Sequence, residues 1–255
     1  MRRLALAPLL ALALGLALPQ THASPTPAPP TLRVGGFIVA PLMLGEPTEP
    51  LRGALPDFIQ REIAPQTQIR FVWLPAMSFS RAMKSLRDGT LDILLMYGGS
   101  SGSSQGIGRF DWVYLQTSAH LAVNAASELR EVKSLDALAG LQIGWVSGSK
   151  LPAELLPVAI RWQLAPGQNW QLINLRKLKA GRIDAAYYAN PYSPAYLARK
   201  ENQAIRLLPL PMPTRPLGMA YSLQTDKALI AEFDRLATKA FKGERFRQFV
   251  EGYSD

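Results

Sequence analysis

The 255-residue chain contains no cysteine. That absence removes disulfides, thiolate metal ligands, a thiol nucleophile and the lipidated cysteine of an anchored lipoprotein. Histidine is nearly missing as well, with only His22 and His120 present. His120 has no cysteine near it and no second histidine at metal-ligand spacing, so it reads as a hydrogen-bonded structural residue. No Gly-x-Ser-x-Gly elbow, Walker loop or zinc motif occurs. Beyond the first eighteen residues no run is apolar enough to span a bilayer. Charge of either sign is missing between Asp92 and Arg109, where the chain reads I-L-L-M-Y-G-G-S-S-G-S-S-Q-G-I-G. That loop lacks the Lys-Ser/Thr ending with which a P-loop holds phosphate. Without an acid, base, nucleophile and metal set, the expectation is a protein that is not an enzyme and carries no cofactor.

What is present begins with Met-Arg-Arg and a Leu/Ala run from Leu4 to Leu18, followed by Thr21-His22-Ala23. A basic start, a short apolar core and small residues before a cut describe a secretory signal peptide, residues 1–23, and a periplasmic destination. The next stretch, 24–30, holds S-P-T-P-A-P-P and reads as an extended tether, because proline lacks a donor and fixes φ. The net charge of +9 falls to +7 once Arg2 and Arg3 leave with the signal. The basic residues are scattered, never five together, which argues against nucleic acid and for anionic solutes or partners.

Strand-like and helix-like runs alternate, which is the pattern of an α/β fold. Strands are expected at Leu32 to Ile38, Ile69 to Leu74, Asp92 to Tyr97, Phe110 to Leu115 and His120 to Asn124. Helices are expected at Leu55 to Ala64 and at Ser78 to Arg87, the latter stopped by Asp88-Gly89. A second set begins where Ser134 caps a short helix. Leu141 to Val146 is a strand, and Gly148-Ser149 opens another helix. Trp170 to Ile173 is extended, Asn174 to Lys179 helical, Ile183 to Tyr188 a strand and Ser193 to Lys200 a helix. Ile205 to Leu210 and Gly218 to Leu223 bracket the proline-rich P-L-P-M-P-T-R-P, and Asp226 to Phe241 is an amphipathic helix.

Four stretches, in order, carry a resemblance. L-R-V-G-G-F-I-V-A-P-L-M with Gly53-Ala54-Leu55-Pro56-Asp57-Phe58 is the first. L-R-D-G-T-L-D-I-L, S-L-D-A-L-A-G-L-Q-I-G-W-V-S-G-S and L-K-A-G-R-I-D-A-A follow. Together they resemble the extracytoplasmic solute-binding proteins of family 3, receptors for polar amino acids and related solutes. The resemblance implies a two-lobed type II periplasmic-binding-protein-like fold whose chain crosses twice between lobes. Lobe 1 would be 31–118 plus 214–255, and lobe 2 would be 119–213. It also implies a monomer that closes on a small-molecule ligand and serves an ABC permease or a membrane sensor domain. A degenerate member binding only a partner protein, or a dehydratase-type enzyme on the same fold, are the alternatives.

In that family a Thr-x-x-Arg motif in the loop after the third strand clamps a ligand carboxylate. Here the arginine's place falls on Ser104 or Gly106, and Arg109 and Arg81 stand as replacements. The family's acid after the Gly-x-x-Asp strand falls on Ala189 or Asn190, and its aromatic after Pro41 on Leu42-Met43. Both charged partners of an amino-acid zwitterion are thus absent from their usual positions, and charge-assisted bonds are about twice as strong as neutral ones. An anionic ligand without an ammonium group is the expectation. Ser149 with Lys150 is the anion site that a helix start would supply. The candidate ligand-binding residues are Met43, Arg81, Tyr97, Gly98, Ser104, Arg109, Ser149, Lys150, Tyr188 and Asn190.

Overall fold

Residues 93–97, all apolar and all buried, make the strand that anchors the first half of the molecule. The computed structural model describes residues 28–46, 48–98, 106–167 and 169–253. The expected signal peptide, most of the tether and Ser104 lie outside them. The chain begins β1 (Thr31–Gly35), α1 (Ala54–Glu62), β2 (Arg70–Trp73), α2 (Phe79–Arg87), β3 (Ile93–Tyr97), β4 (Ile107–Arg109) and β5 (Leu115–Thr117). It continues β6 (His120–Asn124), β7 (Gln142–Val146), β8 (Arg161–Ala165), α3 (Trp170–Lys179), β9 (Ala185–Tyr188), α4 (Tyr192–Lys200) and β10 (Ile205–Pro209). It closes with β11 (Arg215–Ser222), α5 (Lys227–Ala240) and α6 (Arg245–Glu251).

Two sheets result. The first has the order β2-β1-β3-β11-β4, with β5 also pairing with β11. In it β1 runs parallel to β2 and β3, while β11 is antiparallel to β3, β4 and β5. The second has the order β10-β6-β9-β7-β8, with β7 parallel to β8 and β9, and β6 antiparallel to β9 and β10. The chain passes from the first sheet to the second between β5 and β6, and returns between β10 and β11. Parallel strands need crossover connections, and α1, α2 and α3 supply them on the sheet faces.

Each lobe has its own core. In lobe 1, Phe58 of α1 packs with ring centroids 5.0 Å from both Phe241 and Phe246, and Phe233 of α5, fully buried in the same core, meets Phe71 and Phe110. On the other sheet face, Ala82, Met83 and Leu86 of α2 meet Leu94 and Ala220. In lobe 2, Leu121, Ile143, Trp145 and Tyr187 form one cluster, while Leu175, Leu178, Ala186 and Tyr188 form another on the opposite face.

Three local expectations need correction, and two elements go beyond the sequence reading. No helix opens at Gly148-Ser149: Gly148 has φ +78°, and a single 3-10 turn follows only at Ala153–Leu155. Leu151 precedes Pro152, and a residue before proline is pushed away from helical backbone. Trp170 to Ile173 is not extended but the start of α3. The edge strand β8 and the short helix α6 have no counterpart in the sequence pattern. Finally, the expected strand from Phe110 to Leu115 is two short strands, β4 and β5, with Asp111-Trp112-Val113 arching over β11 between them. The arch is pinned at both ends, where Phe110 N–H donates to Met219 O at 3.3 Å and Tyr114 N–H to Leu217 O at 2.9 Å.

Candidate functional site

In open α/β sheets, ligands sit outside the carboxyl ends of the strands. In lobe 1 those ends are the segments after β1, β2 and β3. The segment after β1 folds back on itself, with Val39 and Met43 exchanging backbone hydrogen bonds of 3.0 and 2.9 Å. Gly36 makes room for this turn, because a Cβ there would lie 2.6 Å from the Met43 sulfur. Met43 is thereby fully buried. After β2, the Ser78 hydroxyl caps α2 by accepting from Arg81 N–H at 3.3 Å, which leaves the Arg81 side chain exposed. Phe79, at the same helix start, is 54% exposed and meets Phe37 edge-on at 5.5 Å. After β3, Gly98 is exposed, and the Arg109 guanidinium lies 5.5 Å from the Tyr97 ring. Arg109 and Tyr97 also border a cavity of about 330 Å³ that the Asp111–Val113 arch lines on one side.

In lobe 2 the corresponding ends follow β7, β8 and β9. Ser147, Gly148, Ser149 and Lys150 form an exposed loop after β7. Among the described residues no ion pair neutralises Arg81, Arg109 or Lys150. Tyr188, at the end of β9, is fully buried and its hydroxyl donates to Gln171 O at 2.8 Å. Burial raises its pKa above that of a free tyrosine. Asn190 is 4% exposed, and its Oδ1 accepts from Ser193 N–H at 2.8 Å, tying down the start of α4.

The candidates thus fall into groups. Arg109 and Tyr97 come together, while Arg81 and Gly98 stand apart at neighbouring strand ends. Ser149 and Lys150 share a loop of the other lobe. Met43, Tyr188 and Asn190 lie beneath the surface, with the Tyr188 hydroxyl and the Asn190 amide oxygen engaged by backbone groups. Ser104 lies outside the described residues.

Direct contact between the lobes comes from residues that sequence patterns did not single out. Ala40 N–H, beyond β1, donates to Gln171 Oε1 in the first turn of α3 at 3.2 Å, and both residues are buried. Beside them Ala40 and Leu44 of lobe 1 and Tyr196 of α4 form a small buried apolar cluster. Thr117 Oγ1 donates to Ala189 O at 3.1 Å at the first crossing. Near the second crossing Arg215 bonds both carboxylate oxygens of Glu154, at 2.9 and 2.8 Å. The one available signal for Gln171 was its helical spacing with Asn174, Leu175 and Leu178, all four of them buried.

No family model matches the sequence, and no curated protein matches it. Solved structures do. The ligand-binding core of GluR0 in complex with L-glutamate is similar at 15% identity and a TM-score of 0.66, covering 87% of this chain and 96% of that one. A probable amino-acid ABC transporter extracellular-binding protein of Bacillus subtilis has 15% identity and a TM-score of 0.65, covering 86% and 95%. An ancestral amino acid-binding protein, a precursor of cyclohexadienyl dehydratase, has 18% identity and a TM-score of 0.63, covering 88% and 95%. Among the described residues no helix is long and apolar enough to cross a membrane. These likenesses and the two-sheet topology establish the architecture: the chain has the two-lobed α/β fold of the type II periplasmic binding proteins.

Proposed function

We propose that the chain is a family 3 extracytoplasmic solute-binding receptor that holds a small anionic solute between its lobes and presents it to a membrane importer or sensor. The observation that carries this reading is the hydrogen bond from Ala40 N–H to Gln171 Oε1. It joins a segment leaving β1 to one following β8, so the carboxyl ends of the parallel strands in both sheets face a common region. Arg81 and Arg109 on one side and Lys150 on the other bring positive charge to those ends without acid partners among the described residues. A carboxylate or another small anion supplies what is missing, and hinge closure around it would bury the pair. An ammonium group finds no matching acid at Asn190, whose amide oxygen is already engaged by Ser193.

Binding, not turnover, fits the chemistry of the described residues. The His120 ring nitrogen faces Ser118 O at 3.0 Å, at the crossing between lobes. A thermal-shift screen with succinate, other carboxylates lacking ammonium groups, and lysine, arginine and histidine tests the anion reading. The expected result is stabilisation by an anion that Arg109→Ala and Lys150→Ala each reduce. Stabilisation by the basic amino acids alone would overturn it.

A second reading has its own observation. The buried cluster of Ala40, Leu44 and Tyr196 joins the lobes with the protein's own side chains, as a ligand-independent partner-binding module would need. Small-angle scattering separates the two. Compaction on adding the stabilising anion supports the receptor. An unchanged compact shape, with no small molecule found by mass spectrometry of the natively purified protein, supports the module.

A further inference from the structure

The turn between α5 and α6 stands away from the Trp112–Gln116 segment and leaves a cavity of about 730 Å³. Gly243, with φ +74°, makes that turn. The volume falls within the roughly 300–1,000 Å³ typical of small-molecule sites. Its lining comes entirely from lobe 1, and it includes none of the strand-end residues assigned above to the interlobe region.

The half-buried Trp112 on the cavity wall is held in place. The Trp112 indole stacks on Phe241 at 5.4 Å with 13° between planes, and on Phe110 at 5.2 Å with 22°. Its Nε1–H donates to Asp234 Oδ1 at 2.6 Å, which fixes the ring in its own plane. A ligand packing on such a wall does not have to order it first. Tyr114 also lines the cavity; it is 3% exposed, and its hydroxyl has no hydrogen-bond partner among the described residues. Val113, 41% exposed, adds apolar surface on the same lining.

Charge at the rim has one sign left over. Arg247 is engaged by Glu244, and also by Glu251 at 3.2 Å, so the acid that lines the cavity is already spoken for. Lys242 is exposed and makes no ion pair among the described residues. An incoming anion meets an uncommitted ammonium, whereas an incoming cation meets a carboxylate that already has its partner.

We infer that this cavity is a second ligand site, distinct from the interlobe cleft, for a planar aromatic carboxylate of one or two fused rings. The ring packs against the half-buried Trp112 edge and Val113, with Phe241 and Phe110 backing the indole, and the carboxylate faces Lys242. The site requires neither hinge closure nor the cations at the strand ends.

Titration calorimetry of the full chain with 2-naphthoate, and with 2-naphthamide as the uncharged control, tests the inference. Naphthoate is expected to bind about fivefold more tightly than the amide, the gain of one partly exposed ion pair. Lys242→Glu should weaken naphthoate about tenfold and leave the amide unchanged. Thr238→Trp fills the cavity from an exposed position on α5 and should abolish both, with thermal melting confirming that the variant folds. Lys150→Ala, on the other lobe, should leave naphthoate binding intact. Absence of naphthoate binding, equal affinity for acid and amide, or unchanged binding in folded Thr238→Trp would each overturn the site. Loss of binding in Lys150→Ala would instead place the ligand in the cleft and overturn it equally.

Discussion

Both lobes contain the same short device, a helix stopped by glycine and followed three residues later by an aspartate that enters a parallel strand, yet they stabilise it differently. In lobe 1 the step is Gly89-Thr90-Leu91-Asp92, in lobe 2 Gly181-Arg182-Ile183-Asp184. The backbone geometry is nearly the same. Gly89 has φ +67° and Gly181 +65°. Asp92 Oδ2 accepts from Arg33 N–H at 2.7 Å, and Asp184 Oδ2 accepts from Gln142 N–H at 2.7 Å, so each aspartate locks its strand to the preceding parallel neighbour. The surroundings differ. Asp92 is 4% exposed and also receives Arg33 Nε at 2.9 Å, Arg33 Nη2 at 2.8 Å and the Thr225 hydroxyl at 2.7 Å. Asp184 is exposed. One motif thus serves as a buried ionic keystone in one lobe and as a simple surface clasp in the other.

The largest test of this contrast is Asp92→Asn. It leaves Arg33 and Thr225 without their acceptor charge and should lower unfolding free energy by about 2–3 kcal/mol, read by urea denaturation. The same group gives the contrast a pH signature. Burial pushes the Asp92 carboxyl up, but the hydrogen bonds from Arg33 and Thr225 outweigh it and hold the group below the usual carboxylate range. A depressed folded value means its contribution is present above the unfolded value near about pH 4 and is lost as pH falls toward the folded one. Asp92→Asn should therefore flatten the acid limb of a stability-against-pH curve, and an unchanged limb would mean that another group carries it. Next in size is the pair Gly89→Ala and Gly181→Ala. Both force a side chain into left-handed backbone, costing about 1 kcal/mol or somewhat more. A Cβ at Gly89 also lies 2.8 Å from Gln224 Oε1, whereas Gly181 has open space around it. The lobe 1 variant should melt lower than the lobe 2 variant; equal melting would show that Gln224 simply moves aside. The smallest effect belongs to Asp184→Asn, about 0.5–1 kcal/mol, since one exposed bond is weakened. A loss matching that of Asp92→Asn would erase the distinction between keystone and clasp.

The same difference explains how much of the molecule is legible from sequence. Lobe 1 elements with clean apolar runs, such as 93–97, stand where periodicity places them. In lobe 2 the β6 strand at His120–Asn124 and the turn capped by Ser134 do so too. The start of α3 hides because its inward face includes Gln171 and Asn174, two polar residues that interrupt the apolar spacing. Asn174 is admitted only because Gly144 lacks a side chain, for a Cβ there would stand 2.7 Å from its Oδ1. Strand β8 hides because an edge strand with Arg161 and Leu164 exposed lacks strict alternation. Sequence patterns mark charged residues at strand ends but not the contact joining the lobes. Ala40 and Gln171 are 131 positions apart, and neither alanine nor glutamine announces a partner.

The path of the chain through the first sheet has a consequence for the order in which the protein is made. Strand β11 lies between β3 and β4, inside the sheet of lobe 1, yet it follows every strand of lobe 2 in the chain. A growing polypeptide therefore delivers all of lobe 2 before lobe 1 has the strand that joins β3 to β4 and β5. Lobe 2 leaves and re-enters lobe 1 through adjacent strands, since His120 of β6 pairs with Pro209 of β10. Once folded, it brings the two ends of its own segment together and delivers β11 to the gap beside β3 at little further entropic cost. The inserted lobe is in this sense the scaffold on which the enclosing one is completed.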